Sequence, residues 1–266
     1  MPDRARLIEE LERRLGVRVV GHGTIESTMA AALADPGPAP AVHLARAQRA
    51  GRGRHGRGWE SPRGNLYATI RWPEGERPFP PGLLAAVQLA WAGAIRDAGG
   101  PEVRCKWPND GMLGDAKWAG LIAVRPAERA GELHLGLGAN LVAAPPSVVD
   151  PPAADLKSRW PEWPGEEAVS AMLVSAALAI LRHGPASVPA RLAEWGSFDA
   201  LTPGDPVVVE SAGRRHEGRY RGIDAEGRLR IEGKDGETRF ASGDVTRVRA
   251  LGAYRRPAGS RPDESG

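Results

Sequence analysis

Apolar positions recur at helical spacing in several stretches of the chain and alternate at strand spacing in many shorter ones. Leu7, Ile8, Leu11 and Leu15 set one apolar stripe on a helix over residues 3–15. Leu84, Val87, Trp91 and Ile95 do the same over 83–95, and Val169, Leu173, Ala176 and Ile180 over 167–182. A shorter helix is predicted at 188–195. Ser27 and Thr28 can cap another that runs to Ala34 and stops before Asp35-Pro36. Strands are predicted at 17–21, 42–48, 66–72 and 103–107, the last ending at Pro108. Residues 118–124 and 132–141 read as a hairpin. Residues 143–165 carry six prolines and read as a long surface connection.

The texture changes after Leu201. Five short strands, at 207–210, 217–224, 228–232, 237–241 and 245–249, are separated by glycine-containing turns, the pattern of a small SH3-like β-barrel. Residues 252–266 are polar and rich in proline and glycine, which predicts a disordered tail. The expected division is 1–200, 201–251 and that tail.

Composition narrows the class. The chain is 41% hydrophobic and 26% charged, an ordinary soluble balance. No apolar run reaches the roughly 18 residues that span a bilayer, and the charged, helical N-terminus is unlike a signal peptide. The single cysteine, Cys105, allows neither an internal disulfide nor a cysteine metal cluster, so a cytoplasmic protein is expected. Net charge is +3, a small excess that points to a local anionic ligand more than to a nucleic-acid face.

The chemistry concentrates in a few segments. Gly51, Gly53 and Gly56 match G-x-G-x-x-G, but a strand follows them where a dinucleotide fingerprint needs a helix. Arg52, Arg54 and Arg57 stand between and after the glycines. Flexible backbone with guanidinium forks suits a polyphosphate or an acyl phosphate, and four glycines with repelling arginines leave the loop little order of its own. The alternative is a solvated basic turn. Lys106-Trp107-Pro108-Asn109-Asp110 ends a strand, where Asn109 and Asp110 can hold Mg²⁺, a ribose or an amine, or form a plain Asn-Asp-Gly turn. Lys117, with Gly120 behind it, is either a fixed charge facing a pocket or a solvated edge lysine. Gly136 and Gly138 in one strand imply close approach by a ligand or by another backbone, with Asn140 as a polar contact. No Walker A sequence, zinc signature or serine-nucleophile elbow is present.

Taken together, these segments resemble the biotin–protein ligases (biotin–[acetyl-CoA-carboxylase] ligases). The residues that carry the resemblance are Ser27-Thr28, Gln48 through Gly56 with Arg57 and Trp59, Ser61-Pro62, Gly64-Asn65-Leu66-Tyr67, Lys106 to Asp110, Lys117 with Gly120, and Gly136 to Asn140. The resemblance implies an α/β (α+β) catalytic domain built on a mixed sheet, followed by an SH3-like domain. It implies that biotin is activated by ATP with Mg²⁺ as biotinyl-5′-AMP, then transferred to a lysine of a biotin carboxyl carrier protein domain. By motif match, Ser27, Thr28, Gln48, Gly51, Arg52, Gly53 and Gly120 hold biotin. Arg54 and Lys117 meet the carboxylate and α-phosphate. Arg57, Trp59, Asn109 and Asn140 line the nucleotide, Asp110 orients the incoming lysine, and Asn109 with Asp110 would hold the metal. No DNA or membrane partner is implied, and a homodimer is compatible with it.

Met29 departs from the pattern, which commonly has Asn after Ser-Thr. Only about 16 residues precede the first catalytic strand, so a ligase-only type without an N-terminal repressor domain is expected. Two other readings compete. One is a lipoate- or octanoyl-transferring enzyme of the related fold, against which the glycine–arginine loop and KWPND weigh. The other is a nucleic-acid-binding barrel over residues 201–250. That segment is arginine-rich but has only Tyr220 and Phe240 for base stacking.

Overall fold

The computed structural model describes residues 4–145 and 151–247. Seven strands make one mixed sheet: β1 (Arg18–Ile25), β2 (Ala41–Gln48), β3 (Leu66–Pro73), β4 (Arg104–Lys106), β5 (Asp110–Leu113), β6 (Ala116–Val124) and β7 (Glu132–Ala139). Their order is β1-β2-β3-β7-β6-β5-β4. β1 and β2 are parallel because a helix, α2 (Thr28–Ala34), crosses between them; the other neighbours are antiparallel.

Helices α3 (Leu83–Asp97) and α4 (Glu166–His183) bury their apolar stripes in one core with the sheet. Trp91 joins them, its Nε1 donating to the Leu173 carbonyl at 2.7 Å while its ring packs on Trp118 of β6. α4 starts after Gly165 and ends at Gly184, both at positive φ, with Glu166 and Glu167 in its first turn and Arg182 and His183 in its last. α1 (Arg4–Leu15) is tied to α4 through Arg182, which donates to the Leu15 carbonyl.

α2 is held at both ends. Ser27 Oγ caps it by accepting from the Met29 amide at 3.2 Å. At its other end Asp35 pairs with Arg18 and accepts from Arg71 at 2.9 Å, and His43 Nε2 lies 3.1 Å away. Arg71 is fully buried and also donates to Glu132 at 2.7 and 3.0 Å, which holds the Glu132 carboxyl down at about 2. A buried guanidinium needs two such partners, because unpaired it would keep its desolvation penalty. The cluster fixes the C-terminal end of α2, and so fixes where Ser27 and Thr28 stand.

Three elements differ from the sequence expectation. Residues 110–113, for which no strand is predicted, form β5; Gly111 lets the Trp118 ring approach to within 2.8 Å of where a Cβ would sit. The proline-rich connection is not only a surface strap, since Leu156 and Trp160 are buried in the core. β7 ends at Ala139, so Lys117 finds its backbone partners in the connection: its amide donates to the Pro152 carbonyl at 2.7 Å, and its carbonyl accepts from Ala154 at 2.9 Å. Residues 146–150 of that connection lie outside the described part. The helix expected at 188–195 is split into α5 (Val188–Leu192) and α6 (Trp195–Phe198).

The five C-terminal strands are all present: β8 (Pro206–Ser211), β9 (Arg214–Ile223), β10 (Leu229–Gly233), β11 (Gly236–Phe240) and β12 (Asp244–Arg247). They form an antiparallel sheet ordered β11-β10-β9-β8-β12. The end of the last predicted strand and the expected tail lie outside the described residues. Arg215, Arg221, Arg228 and Arg230 are ion-paired with Glu217, Glu232, Asp224 and Glu237. Four arginines of this arginine-rich run thus have carboxylate partners within the run itself. Among the described residues no single helix is long and apolar enough to cross a membrane.

The C-terminal sheet packs closely on the preceding part of the chain. Trp107 Nε1 donates to the Gly227 carbonyl at 2.9 Å, and a Cβ on Gly227 would lie 2.2 Å from the Gly82 Cα. Asp199 accepts from Tyr220 at 2.5 Å, from Trp195 Nε1 at 2.8 Å and from the Leu201 amide at 3.0 Å. Burial nevertheless pushes its carboxyl up to about 6. The folded protein thus keeps this proton to higher pH than the unfolded chain. The associated stability is complete below about pH 4 and is lost as pH rises through 6. Between pH 5 and 7 the group should cost wild type about 1 kcal/mol. Asp199→Asn should flatten that part of the stability curve, which chemical denaturation at the two pH values will show.

Candidate functional site

A cavity of about 580 Å³ opens where strands β2, β6 and β7, the glycine–arginine loop and the edge of the C-terminal sheet come together. That volume is in the range of sites for drug-sized ligands. Its floor is glycine. Trp59 lies across Gly120 of β6 and Gly138 of β7, with ring atoms 3.0 and 2.9 Å from where their Cβ atoms would be. Gly136 is roofed in the same way by Ile122 and by the Met29 methyl, at 2.6 and 3.1 Å. Any side chain at these three positions would fill the cavity or lift its cover. Met29 therefore packs on the glycine floor, where the family pattern has an amide.

One end is polar and neutral. Gln48 Oε1 accepts from the Thr28 amide at 2.8 Å and from its hydroxyl at 3.1 Å, while Gln48 Nε2 donates to Ser61 Oγ at 3.0 Å. Gln48 lines the cavity; Thr28 stands behind it and sets its orientation, and Ser27 caps the helix that carries Thr28. Gly51 has a backing role: a Cβ there would strike the Trp59 carbonyl at 2.5 Å.

The glycine–arginine segment, expected to have little order of its own, folds as a small closed hairpin. The Gly53 amide donates to the Arg57 carbonyl at 2.8 Å and the Trp59 amide to the Gly51 carbonyl at 2.9 Å, with Arg52 bridged to Gly58. His55 and Gly56 make the turn at positive φ. Arg52 and Gly53 line the cavity mouth.

The charged groups meet at its centre. Lys117 Nζ lies 2.7 Å from Asp110 Oδ1 and 5.3 Å from the centre of the Trp59 ring. Arg54 is 14% exposed; its Nη1 donates to Gly243 O at 3.0 Å, Asn109 Oδ1 at 3.3 Å and Asp244 Oδ1 at 3.3 Å. Burial lowers its pKa, opposed by Asp244 and Asp110, and a guanidinium so placed remains charged. Arg57, largely exposed, pairs with Asp244 at 2.8 Å. Asn109 Nδ2 is spent on the Leu121 carbonyl. Asn140 also lines the cavity; its Oδ1 is buried without a hydrogen-bond partner, an acceptor left for a ligand or water.

The structure thus gathers Gln48, Arg52, Gly53, Arg54, Arg57, Trp59, Asn109, Asp110, Lys117, Gly120 and Asn140 around one cavity, with Ser27, Thr28 and Gly51 as its backing. Sequence reasoning missed Asp244 and Glu210, which reach the cavity from the C-terminal sheet, and Pro145, Pro151 and Ala153 from the strap. A lone aspartate after Ser-Gly carries no local signal of a contact 190 residues away.

Comparison with known proteins decides the family. Residues 24–140 match the biotin/lipoate A/B protein ligase family, and residues 203–247 match the biotin protein ligase C-terminal domain. A biotin–[acetyl-CoA-carboxylase] ligase of Paracoccus denitrificans is 32% identical over 222 residues, covering 76% of this chain and 88% of that protein. This chain belongs to the biotin protein ligases. Its fold is also theirs. A biotin protein ligase from Aquifex aeolicus, solved with biotin and ATP, superposes with a TM-score of 0.77 at 20% identity, over 86% of this chain and 98% of that one. A Leishmania major biotin protein ligase solved with biotinyl-5-AMP gives a TM-score of 0.55 at 20% identity, over 84% and 98%. As a member of this family the protein is a ligase.

Proposed function

We propose that the protein activates biotin with ATP as biotinyl-5′-AMP and then transfers the biotinyl group to a lysine of a biotin carboxyl carrier protein domain. The observation that carries this reading is the set of groups that line one cavity: a neutral polar group at Gln48, two cations at Lys117 and Arg54, and an unpartnered amide acceptor at Asn140. A carboxylic acid with a neutral polar ring at one end and a nucleotide at the other would match that set of chemistries. The ligands of the Aquifex and Leishmania relatives support it.

In the first step a biotin carboxylate oxygen attacks the α-phosphorus and pyrophosphate leaves. Two anions must approach, so Lys117 and Arg54 offset their repulsion and the charge that develops between them. Trp59 and the glycine floor exclude water from the mixed anhydride. In the second step the carrier's lysine attacks the acyl carbon, AMP leaves, and Asp110 orients the amine. Ser27, Thr28, Gln48, Gly51, Arg52, Gly53 and Gly120 form the biotin end, while Arg57, Trp59, Asn109 and Asn140 form the nucleotide end.

Magnesium fits as a companion of the nucleotide. No group of three or more His, Cys, Asp or Glu side chains suited to a metal occurs among the described residues, but Asp110 has a second carboxylate oxygen beyond the one paired with Lys117, and Asn109 Oδ1 has a second lone pair beyond the one facing Arg54, both beside the cavity. Mg²⁺ commonly takes one or two such donors and the substrate's phosphates. When bound, it would neutralise the pyrophosphate charge.

We place the catalytic unit at 1–200 and the accessory unit at 201–251, acting in the cytoplasm. The deciding test is to incubate the protein with biotin, MgATP and an apo carrier domain. One biotinyl mass added to the carrier is expected; a lipoyl or octanoyl mass obtained instead from lipoate or octanoate, with none from biotin, would favour the related transferases.

A further inference from the structure

Every cation at the centre of the cavity already has an anionic partner. Lys117 is paired with Asp110, and both loop arginines converge on Asp244. Among the lining residues five basic side chains (Arg52, Arg54, Arg57, Lys106 and Lys117) face four acidic ones (Glu60, Asp110, Glu210 and Asp244). A polyphosphate entering the site therefore meets a nearly neutral surface; Arg54 Nη2 and Nε are open to it, but the full charge of the two arginines comes to it only when the carboxylate they share leaves them.

Asp244 is the one built to leave. It opens β12, an edge strand of the C-terminal sheet, and its side chain is 42% exposed, so water can receive the carboxylate when it is displaced. Glu210, opposite Asp244 on β8, adds a second negative charge on the same side. Arg54 does not depend on Asp244 for its place. Its Nη1 also donates to the Gly243 carbonyl and to Asn109 Oδ1, two neutral acceptors that an incoming anion does not repel. A guanidinium takes phosphate in the same geometry as carboxylate, and a phosphate group brings more charge.

Resting on the ligase reading above and deepening it, we propose that Asp244 is an exchangeable counter-anion of the glycine–arginine loop. It holds Arg54 and Arg57 before nucleotide binds and yields them to the nucleotide's phosphates. The C-terminal sheet thereby keeps two repelling arginines in place and sets how tightly nucleotide is held. Asp244 is a positioning residue, since it acts through the arginines and departs as the phosphates arrive.

The test compares wild type with Asp244→Asn, which keeps the shape and one acceptor but removes the charge. At low salt the KM for MgATP should fall about fivefold, with kcat within about twofold and biotin affinity unchanged. Inorganic tripolyphosphate, titrated calorimetrically without biotin, should also bind about fivefold tighter. Both gaps should narrow as salt is raised, and Asp244→Glu should return the wild-type values. A KM for MgATP that rises in Asp244→Asn, or stays the same, overturns the proposal; a rise would mean that the carboxylate stays with the arginines in the liganded enzyme. If wild type consumes no ATP with biotin, the ligase reading has failed, and the tripolyphosphate comparison still decides the exchange.

Discussion

Replacing Lys117 with Gln should slow biotinyl-adenylate formation by about a hundredfold or more, while the melting temperature stays within a few degrees of wild type. Lys117 is anchored by backbone bonds to Pro152 and Ala154, which its side chain does not influence, so the strand survives the change. Lost is a compact cation between the Trp59 face and Asp110. Part of the loss comes from Asp110 itself, whose charge is left unopposed where the biotin carboxylate must lie. Lys117→Gln with Asp110→Asn separates the two effects. The double variant should recover biotin binding but stay slow in the chemical step, because neutral groups do not stabilise the charge that develops as carboxylate meets phosphate. Lys117→Arg keeps the charge as a wider planar fork wedged between a ring and a carboxylate, and should fall by about tenfold. Single-turnover adenylate formation with each variant checks the series. Rates equal to wild type in all three would make Lys117 an edge lysine and remove it from the site.

Local pattern made most of the framework legible. α3 and α4 each carry one apolar stripe, and the β6–β7 hairpin and the five C-terminal strands alternate or are bounded by turns as strands are. The clustering of the candidate site was legible because its residues are unusual: arginines stand between glycines, and the two glycines of one core strand mark a close approach, which the structure fills with Trp59, Ile122 and Met29. What escaped was set by distance along the chain or by missing side chains. β5 is four residues long and contains a glycine, so its pairing comes from neighbouring strands and not from its own pattern. The proline-rich strap looks like a loop by composition, but it is recruited where β7 stops short and Lys117 needs backbone partners. The glycine–arginine loop is closed by its own backbone bonds, which its composition did not foretell, and Gly243, Asp244 and Asn109 add ties from outside it through Arg54. Thr28 is adjacent to Gln48 in space and not in sequence, so the chain could name the two together but could not show that one stands behind the other.

Arg54→Ala should lower kcat/KM for adenylate formation about a hundredfold, on the order of 3 kcal/mol of transition-state stabilisation. The hairpin that carries Arg54 is closed by backbone bonds from Gly53 to Arg57 and from Trp59 to Gly51, so the loop keeps its turn without the guanidinium. All the hydrogen bonds Arg54 makes to Gly243, Asn109 and Asp244 come from Nη1, which leaves Nη2 and Nε to meet an anion in the cavity. The alanine variant loses that charge-assisted contact and the tie between loop and C-terminal sheet together. Arg54→Lys tells them apart: an ammonium can restore the charge but cannot hold three acceptors through one nitrogen and still present two more, so it should recover only part of the rate. Arg57 is the internal control. It is 63% exposed and shares Asp244 with Arg54, so Arg57→Ala should cost less than about tenfold, and mostly in KM for ATP. Pyrophosphate release measured across the three variants decides the assignment. A near wild-type rate in Arg54→Ala, or a larger loss at Arg57 than at Arg54, would move the anion-binding role to the outer arginine and leave Arg54 as a structural tie between loop and sheet.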